Sequence, residues 1–163
     1  MISLTEKLAG LPSGEDQLVL PFEKRQRSRL RTRLASGEDV LLLLERGSIL
    51  RGGDCLRASD GRVIGVVAAD ESVMTVRAAS PVDLARAAYH LGNRHVPLQV
   101  GEGWLRLEQD HVLRDMLTGL GVMVTDEVAP FEPEAGAYGG GHRHGAPDDE
   151  RLVLSRRAKA QHE

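Results

Sequence analysis

The chain has 163 residues, a formal net charge of -3, 41% hydrophobic residues and only 3% aromatic ones. That composition supplies an aliphatic core for one domain or two small ones, and no bulk attraction to nucleic acid or to an anionic membrane. One cysteine, Cys55, excludes an intramolecular disulfide framework. The lack of a basic-then-apolar leader and of any apolar run long enough to span a bilayer completes the expectation of a soluble cytoplasmic protein.

Residues 15–70 read as a series of short strands. Gln17 to Phe22 is an apolar run broken by Pro21. From Arg27 to Leu34 the pattern alternates, with Arg27, Arg29, Arg31 and Arg33 on one face and Ser28, Leu30, Thr32 and Leu34 on the other. This is the signature of a half-buried strand with a cationic outer face. Val40 to Leu44 is the next strand and Val63 to Ala69 the last. Arg46-Gly47, Gly52-Gly53-Asp54 and Asp60-Gly61 supply turns between them. Several short strands at such spacing predict a small barrel or sandwich.

The period changes near residue 72. Val73 to Ala79 reads as a strand. Ser80 then caps a helix whose first position is Pro81, where the missing N–H costs nothing. Leu84, Ala88 and Leu91 mark its apolar face, and Gly92 is the expected stop. Val96, Leu98 and Val100 alternate as a core-facing strand. Gly101-Glu102-Gly103 turns the chain into a strand containing Leu105 and Leu107. Asp110 caps a second helix, with Leu113, Met116, Leu117 and Leu120 on its buried face and Gly121 after it. Val122 to Val128 closes the set. The order is βαββαβ, a ferredoxin-like unit.

The fold class is therefore α+β. Residues 1–72 form an N-terminal β domain and residues 73–131 a ferredoxin-like domain. Residues 132–163, rich in Pro, Gly, Ala and charge, form a mobile tail carrying His142-Arg143-His144.

The residues able to carry chemistry are imidazoles. His90 and His95 flank a helix C-terminus, His111 opens the next helix, and His142 and His144 lie in the tail. Alternation with Val96 and Leu98 directs His95 outward, which suits either a ligand or an ordinary surface histidine. His90 also points away from the core, 240° or so around the helix from Leu84 at about 100° per residue. A neutral imidazole, the ligand form, is mildly favoured at the helix start for His111. Cys55 reads as a small, partly buried strand residue. Donors of nitrogen and oxygen suit nickel, copper and zinc. No Gly-x-Ser-x-Gly elbow, Walker loop or His-Glu-x-x-His motif is present, so no enzyme template fits.

The segments Leu91-Gly-Asn-Arg-His-Val-Pro-Leu-Gln99, Asp110-His-Val-Leu-Arg-Asp-Met-Leu117 and Glu45-Arg-Gly-Ser-Ile-Leu-Arg-Gly-Gly-Asp54, with the His-containing tail, carry a resemblance. Over nearly its whole length the chain resembles the UreE family of urease accessory proteins, which are nickel metallochaperones. The resemblance implies an N-terminal domain like chaperone peptide-binding domains and a metal-binding domain that forms homodimers. It implies Ni(II) as cargo, with Cu(II) or Zn(II) at the same or peripheral sites. By position, His95 matches the interface nickel ligand, His142 and His144 match the tail donors, and His90 and His111 match peripheral positions. The implied receivers are the urease GTPase accessory protein UreG and the urease apoprotein-accessory complex. Two departures stand out. The tail has His-Arg-His and His162 in place of a long histidine run, which argues against multi-nickel storage. Gln109 stands where some members place a histidine, so a His-x-His pair with His111 is missing.

Two other functions compete. A peptide-binding adaptor with incidental metal binding would use the β domain, and the arginine face favours it. An RNA-binding module is opposed by the net charge and by the absence of aromatics on Val73–Ala79 and Val122–Val128, because base stacking needs them.

Overall fold

The computed structural model describes residues 1–9 and 14–136. The N-terminal part contains β1 (Ile2–Leu8), β2 (Asp16–Leu20), a single helical turn α1 (Phe22–Arg25), β3 (Arg29–Arg33), β4 (Asp39–Leu43), β5 (Cys55–Ala58) and β6 (Val63–Ala68). These strands form one six-stranded sheet in the order β2-β6-β5-β1-β4-β3. At one end its two outer strands meet, where Ala35 N–H donates to the Gln17 carbonyl at 2.8 Å. That closure makes the sheet barrel-like and buries an aliphatic core of Leu4, Leu18, Leu42, Leu56 and Ile64, joined by Leu50 from the connection between β4 and β5. Hydrophobic burial of this kind is worth roughly 1.5–3 kcal/mol per side chain.

The alternation in β3 is as expected: Arg29, Arg31 and Arg33 are exposed and Leu30 and Thr32 are half-buried. Two elements differ from the sequence expectation. β1 is a central strand, paired parallel to β4 and antiparallel to β5. Its Thr5-Glu6-Lys7 run is exposed, so no alternation announced it. The second is α1, which interrupts what read as an apolar strand through Phe22. Pro21 is its N-cap.

After β6, Ala69 alone separates the two sheets. β7 (Asp70–Arg77), α2 (Pro81–Asn93), β8 (Gln99–Gly101), β9 (Trp104–Glu108), α3 (His111–Gly119) and β10 (Met123–Pro130) follow. The sheet order β10-β7-β9-β8 is antiparallel throughout, the arrangement of a ferredoxin-like unit. Met74, Val76, Leu105 and Leu107 on the sheet pack with Ala87, Leu91 and Leu117 of the helices. Both predicted N-caps form: Asp83 N–H donates to Ser80 Oγ at 3.1 Å, and Leu113 N–H donates to Asp110 Oδ1 at 2.9 Å.

The opposite face of this sheet carries a polar network. Arg106 donates to Thr75 Oγ1 and to Glu127, and Thr75 Oγ1 donates to Glu127 at 2.8 Å. These bonds, the Thr75 hydroxyl first and the Arg106 guanidinium after it, hold the Glu127 carboxyl below its ordinary pKa. Trp104 lies on β9, a central strand, so the aromatic inventory of the sheet is not empty. Its ring is occupied, however. Arg106 stacks on it at 4.6 Å, and a Cβ on the cross-strand Gly101 would come within 2.0 Å of it, so only glycine fits there.

Phe22, Val73 and Phe131 form a third apolar cluster where the two sheets meet, the rings of Phe22 and Phe131 standing edge to face at 5.7 Å. The fully buried Arg25 completes the joint. Burial pushes its guanidinium pKa down, and the Glu132 charge opposes that shift. The chain stays packed beyond β10. Phe131 and Pro133 are buried and Glu134 N–H donates to the Leu98 carbonyl at 2.8 Å, so residues 132–134 are held, where composition alone suggested the start of a mobile tail. The expectation of mobility from 137 onward, with His142, His144 and His162, lies outside the described residues. Among the described residues no helix is long and apolar enough to cross a membrane.

Candidate metal centre

Helices α2 and α3 end in the same backbone motif. In α3, Gly121 N–H donates to the Thr118 carbonyl at 3.0 Å and Val122 N–H to the Leu117 carbonyl at 3.4 Å. In α2, His95 N–H donates to Gly92 at 3.0 Å and Val96 N–H to Leu91 at 3.5 Å. Each is a Schellman termination, and the residue after the turn, Val96 or Val122, joins the same apolar cluster as the helix's last buried leucine. The motif requires a left-handed residue at its corner. In α3 that residue is Gly121, with φ +80°; in α2 it is His95, with φ +54°.

His95 is the one non-glycine residue with positive φ among the described residues. An L-residue in that conformation costs about 1–2 kcal/mol, although histidine tolerates it better than most. Backbone strain of this sort concentrates where a side chain must be presented in a set direction. The helix thus runs one residue past the predicted stop at Gly92, and His95 belongs to its cap. It does not sit at the head of a strand, because β8 begins only at Gln99. The outward direction of His95 was expected and is observed. Val96 and Leu98 pack on the core, and Val100 keeps the same side, directly opposite Leu105 in the pairing of β8 with β9, but on this edge strand it is left 54% exposed.

Two clefts flank His95. One, of about 310 Å³, is lined by Arg94, His95, Pro97, Glu108, Gln109 and Asp110. The other, of about 430 Å³, lies between the two sheets. There His95, Pro97 and Leu98 face Phe22, Ile49 and the terminal segment Pro133–Gly136. The Arg94 side chain reaches across to Met116 of α3, its Nε 3.1 Å from the sulfur, which ties the two helix ends together.

The other histidines are placed as follows. His90 is half-buried in the last turn of α2, its ring edge-to-face with Tyr89 at 5.4 Å. His111 is exposed as the first residue of α3. His142 and His144 lie outside the described residues. Cys55 is buried in β5. Among the described residues no three His, Cys, Asp or Glu side chains come together to hold a metal. His95 therefore lies beside the terminal segment and beside Glu108 and Asp110, and among the described residues it forms no ligand cluster of three with His90 or His111. What the sequence did not signal was the left-handed corner at His95, because the Schellman motif here has no glycine at that position.

Comparison with known sequences agrees over both halves. The family model described as "UreE urease accessory protein, N-terminal domain" matches residues 5–69, and that described as "UreE urease accessory protein, C-terminal domain" matches residues 71–163. A urease accessory protein UreE from Alkalilimnicola ehrlichii is 58% identical over 140 residues, 86% of each chain. One from Nitrosospira multiformis is 53% identical over 145 residues, covering 88% of this chain and 82% of its own. One from Cupriavidus necator is 58% identical over 148 residues, covering 86% and 77%. The chain belongs to the UreE family, a family of urease accessory proteins and not of enzymes.

Proposed function

We propose that the protein is a cytoplasmic nickel metallochaperone, a homodimer that binds Ni(II) through His95 of both protomers and passes it to the urease assembly through the GTPase accessory partner UreG. The observation that carries this reading is His95 itself: an exposed imidazole held at a strained helix corner that glycine fills in the sister helix. One imidazole holds nickel weakly. A two-fold axis supplies a second, and His142 and His144 of the tail raise the count to four or more. His90 and His111 are peripheral donors, and Cu(II) and Zn(II) compete for the same nitrogen ligands. A site built from an interface plus tail donors releases its ion one ligand at a time, which delivery requires and a closed four-ligand site resists.

Apolar exposure supports self-association through the C-terminal domain. Val82 and Tyr89, one heptad apart on the outer face of α2, are 64% and 65% exposed. The test is stoichiometry. Light scattering of the apo protein should give the mass of two chains, and titration should give one tight nickel ion per two chains. A strictly monomeric species with or without nickel would overturn the reading. The exposed Arg29, Arg31 and Arg33 favour a second role, docking of an acidic peptide on the β domain. Urease maturation that survives loss of His95 and fails on charge reversal of these arginines would put that role first.

A further inference from the structure

The loop that carries His95 is gripped from the N-terminal domain. Residues 94–98 lie between α2 and β8 and belong to neither. Val96 and Leu98 hold one side of this loop against the C-terminal core. The chain that follows β10 holds the other side. Glu134 N–H donates to the Leu98 carbonyl at 2.8 Å, and Glu132 N–H donates to Gln99 Oε1 at 3.0 Å.

That segment is itself fastened to the other domain. Arg25 donates through Nε to the Leu20 carbonyl and through Nη1 to the Leu50 carbonyl, both at 3.1 Å, which fixes the guanidinium within the N-terminal domain. Its Nη1 also donates to the Glu132 carboxylate and its Nη2 to the Phe131 carbonyl. Gly52 N–H reaches the same carboxylate at 3.4 Å. A fully buried guanidinium is costly to desolvate, and the apolar contacts of Phe22, Val73 and Phe131 would join the sheets without it. What the charge adds is direction, because a planar fork donates only along set lines. The consequence reaches the 430 Å³ cleft beside His95. Phe22 and Ile49 of the N-terminal domain wall it on one side, His95 and Pro97 on the other, and Pro133 and Glu134 lie between.

We propose that Arg25, acting through Glu132, is a positioning residue for His95: it fixes the His95 loop against the N-terminal domain, so that the imidazole is presented in one orientation before metal arrives. This role rests on the reading of His95 as a nickel ligand, while the clamp itself can be read in the metal-free protein.

The test uses the full-length protein. Glu132→Lys sets a second cation against Arg25 and opens the clamp. Glu132→Gln keeps an acceptor oxygen there. Glu134→Lys makes the same charge change at an exposed position that leaves Arg25 alone. Glu132 is half-buried, so the test does not depend on a variant of the fully buried Arg25 folding. Without metal, hydrogen exchange should show the Glu134 amide protected about tenfold less in Glu132→Lys than in wild type, the weight of one hydrogen bond to a charged group. The ring signals of His95 in nuclear magnetic resonance should move with it. Both should keep their wild-type values in Glu132→Gln, and the His95 signals should keep theirs in Glu134→Lys. Nickel affinity by calorimetry should fall at least about twofold in Glu132→Lys alone, since a loop released in half the molecules halves the competent population. Unchanged exchange or unmoved His95 signals in folded Glu132→Lys would overturn the proposal. So would nickel affinity that is unchanged there, or that falls equally in Glu134→Lys, where charge alters and position does not. Undiminished nickel binding in His95→Ala would instead end the nickel reading, and the positioning role with it, while the metal-free arm still reported on the clamp.

Discussion

Replacing His95 with glycine should stabilise the protein while removing the proposed nickel ligand. At φ +54° an L-residue carries about 1–2 kcal/mol of steric cost that glycine does not. Against that, glycine loses more backbone freedom on folding, roughly 0.5–1 kcal/mol relative to alanine. The net for His95→Gly over His95→Ala is a gain of about 0.5–1 kcal/mol, a rise of roughly 1–4 °C in Tm for a chain of this size. The comparison with alanine isolates the backbone, since both variants lack the imidazole. Thermal melts of the two apo proteins would read the difference. Repeating them with nickel adds a control, because binding to the native state raises Tm and should do so only for wild type. At a site with ordinary φ glycine is the less stable of the two. Finding His95→Gly below His95→Ala would therefore refute the left-handed corner and the strain argument built on it.

Leu117→Ala, at the joint of α3 with the sheet, should cost about 2–5 kcal/mol in denaturant unfolding, since the side chain is fully buried. Arg25→Met should cost about 3 kcal/mol or more, because the carbonyls of Leu20, Leu50 and Phe131 lose their donor and Glu132 its counter-charge. A cost within 0.5 kcal/mol or so, the range of ordinary surface substitutions, would mean the joint does not need the guanidinium. Glu127 is ionised more readily folded than unfolded. Its contribution is thus present above the unfolded carboxylate pKa and is lost as pH falls through the depressed native value. Glu127→Gln should accordingly flatten the acid limb of the stability curve and leave its slope above pH 6 or so unchanged, as followed by circular dichroism. Nickel affinity should fall between pH 8 and pH 5.5, because imidazole ligates only when neutral and metal competes with protons; equal affinity at both would argue against nitrogen ligands.

The C-terminal fold was legible because its signals are local. Ser80-Pro81 and Asp110 cap their helices through their own side chains, and the leucines repeat at helical spacing. β1 was hidden because its neighbours are β4 and β5, far along the chain, and its own pattern lacks alternation. Arg25 was hidden for a related reason. A basic residue in a charged run reads as solvent-facing, and its partners Leu50, Phe131 and Glu132 lie 25 to 107 residues further along the chain. The direction of His95 could be read from its apolar neighbours. Its left-handed backbone could not, since glycine at position 92 suggested that the corner had already been supplied.

The central claim is that His95 is the nickel ligand around which the site is built. Calorimetric nickel titration of the His95→Ala variant tests it most directly, with circular dichroism and light scattering to confirm that fold and mass are unchanged. Tight nickel binding should disappear while the melting temperature stays close to that of wild type. Tight binding that persists undiminished in a folded His95→Ala variant would contradict the assignment.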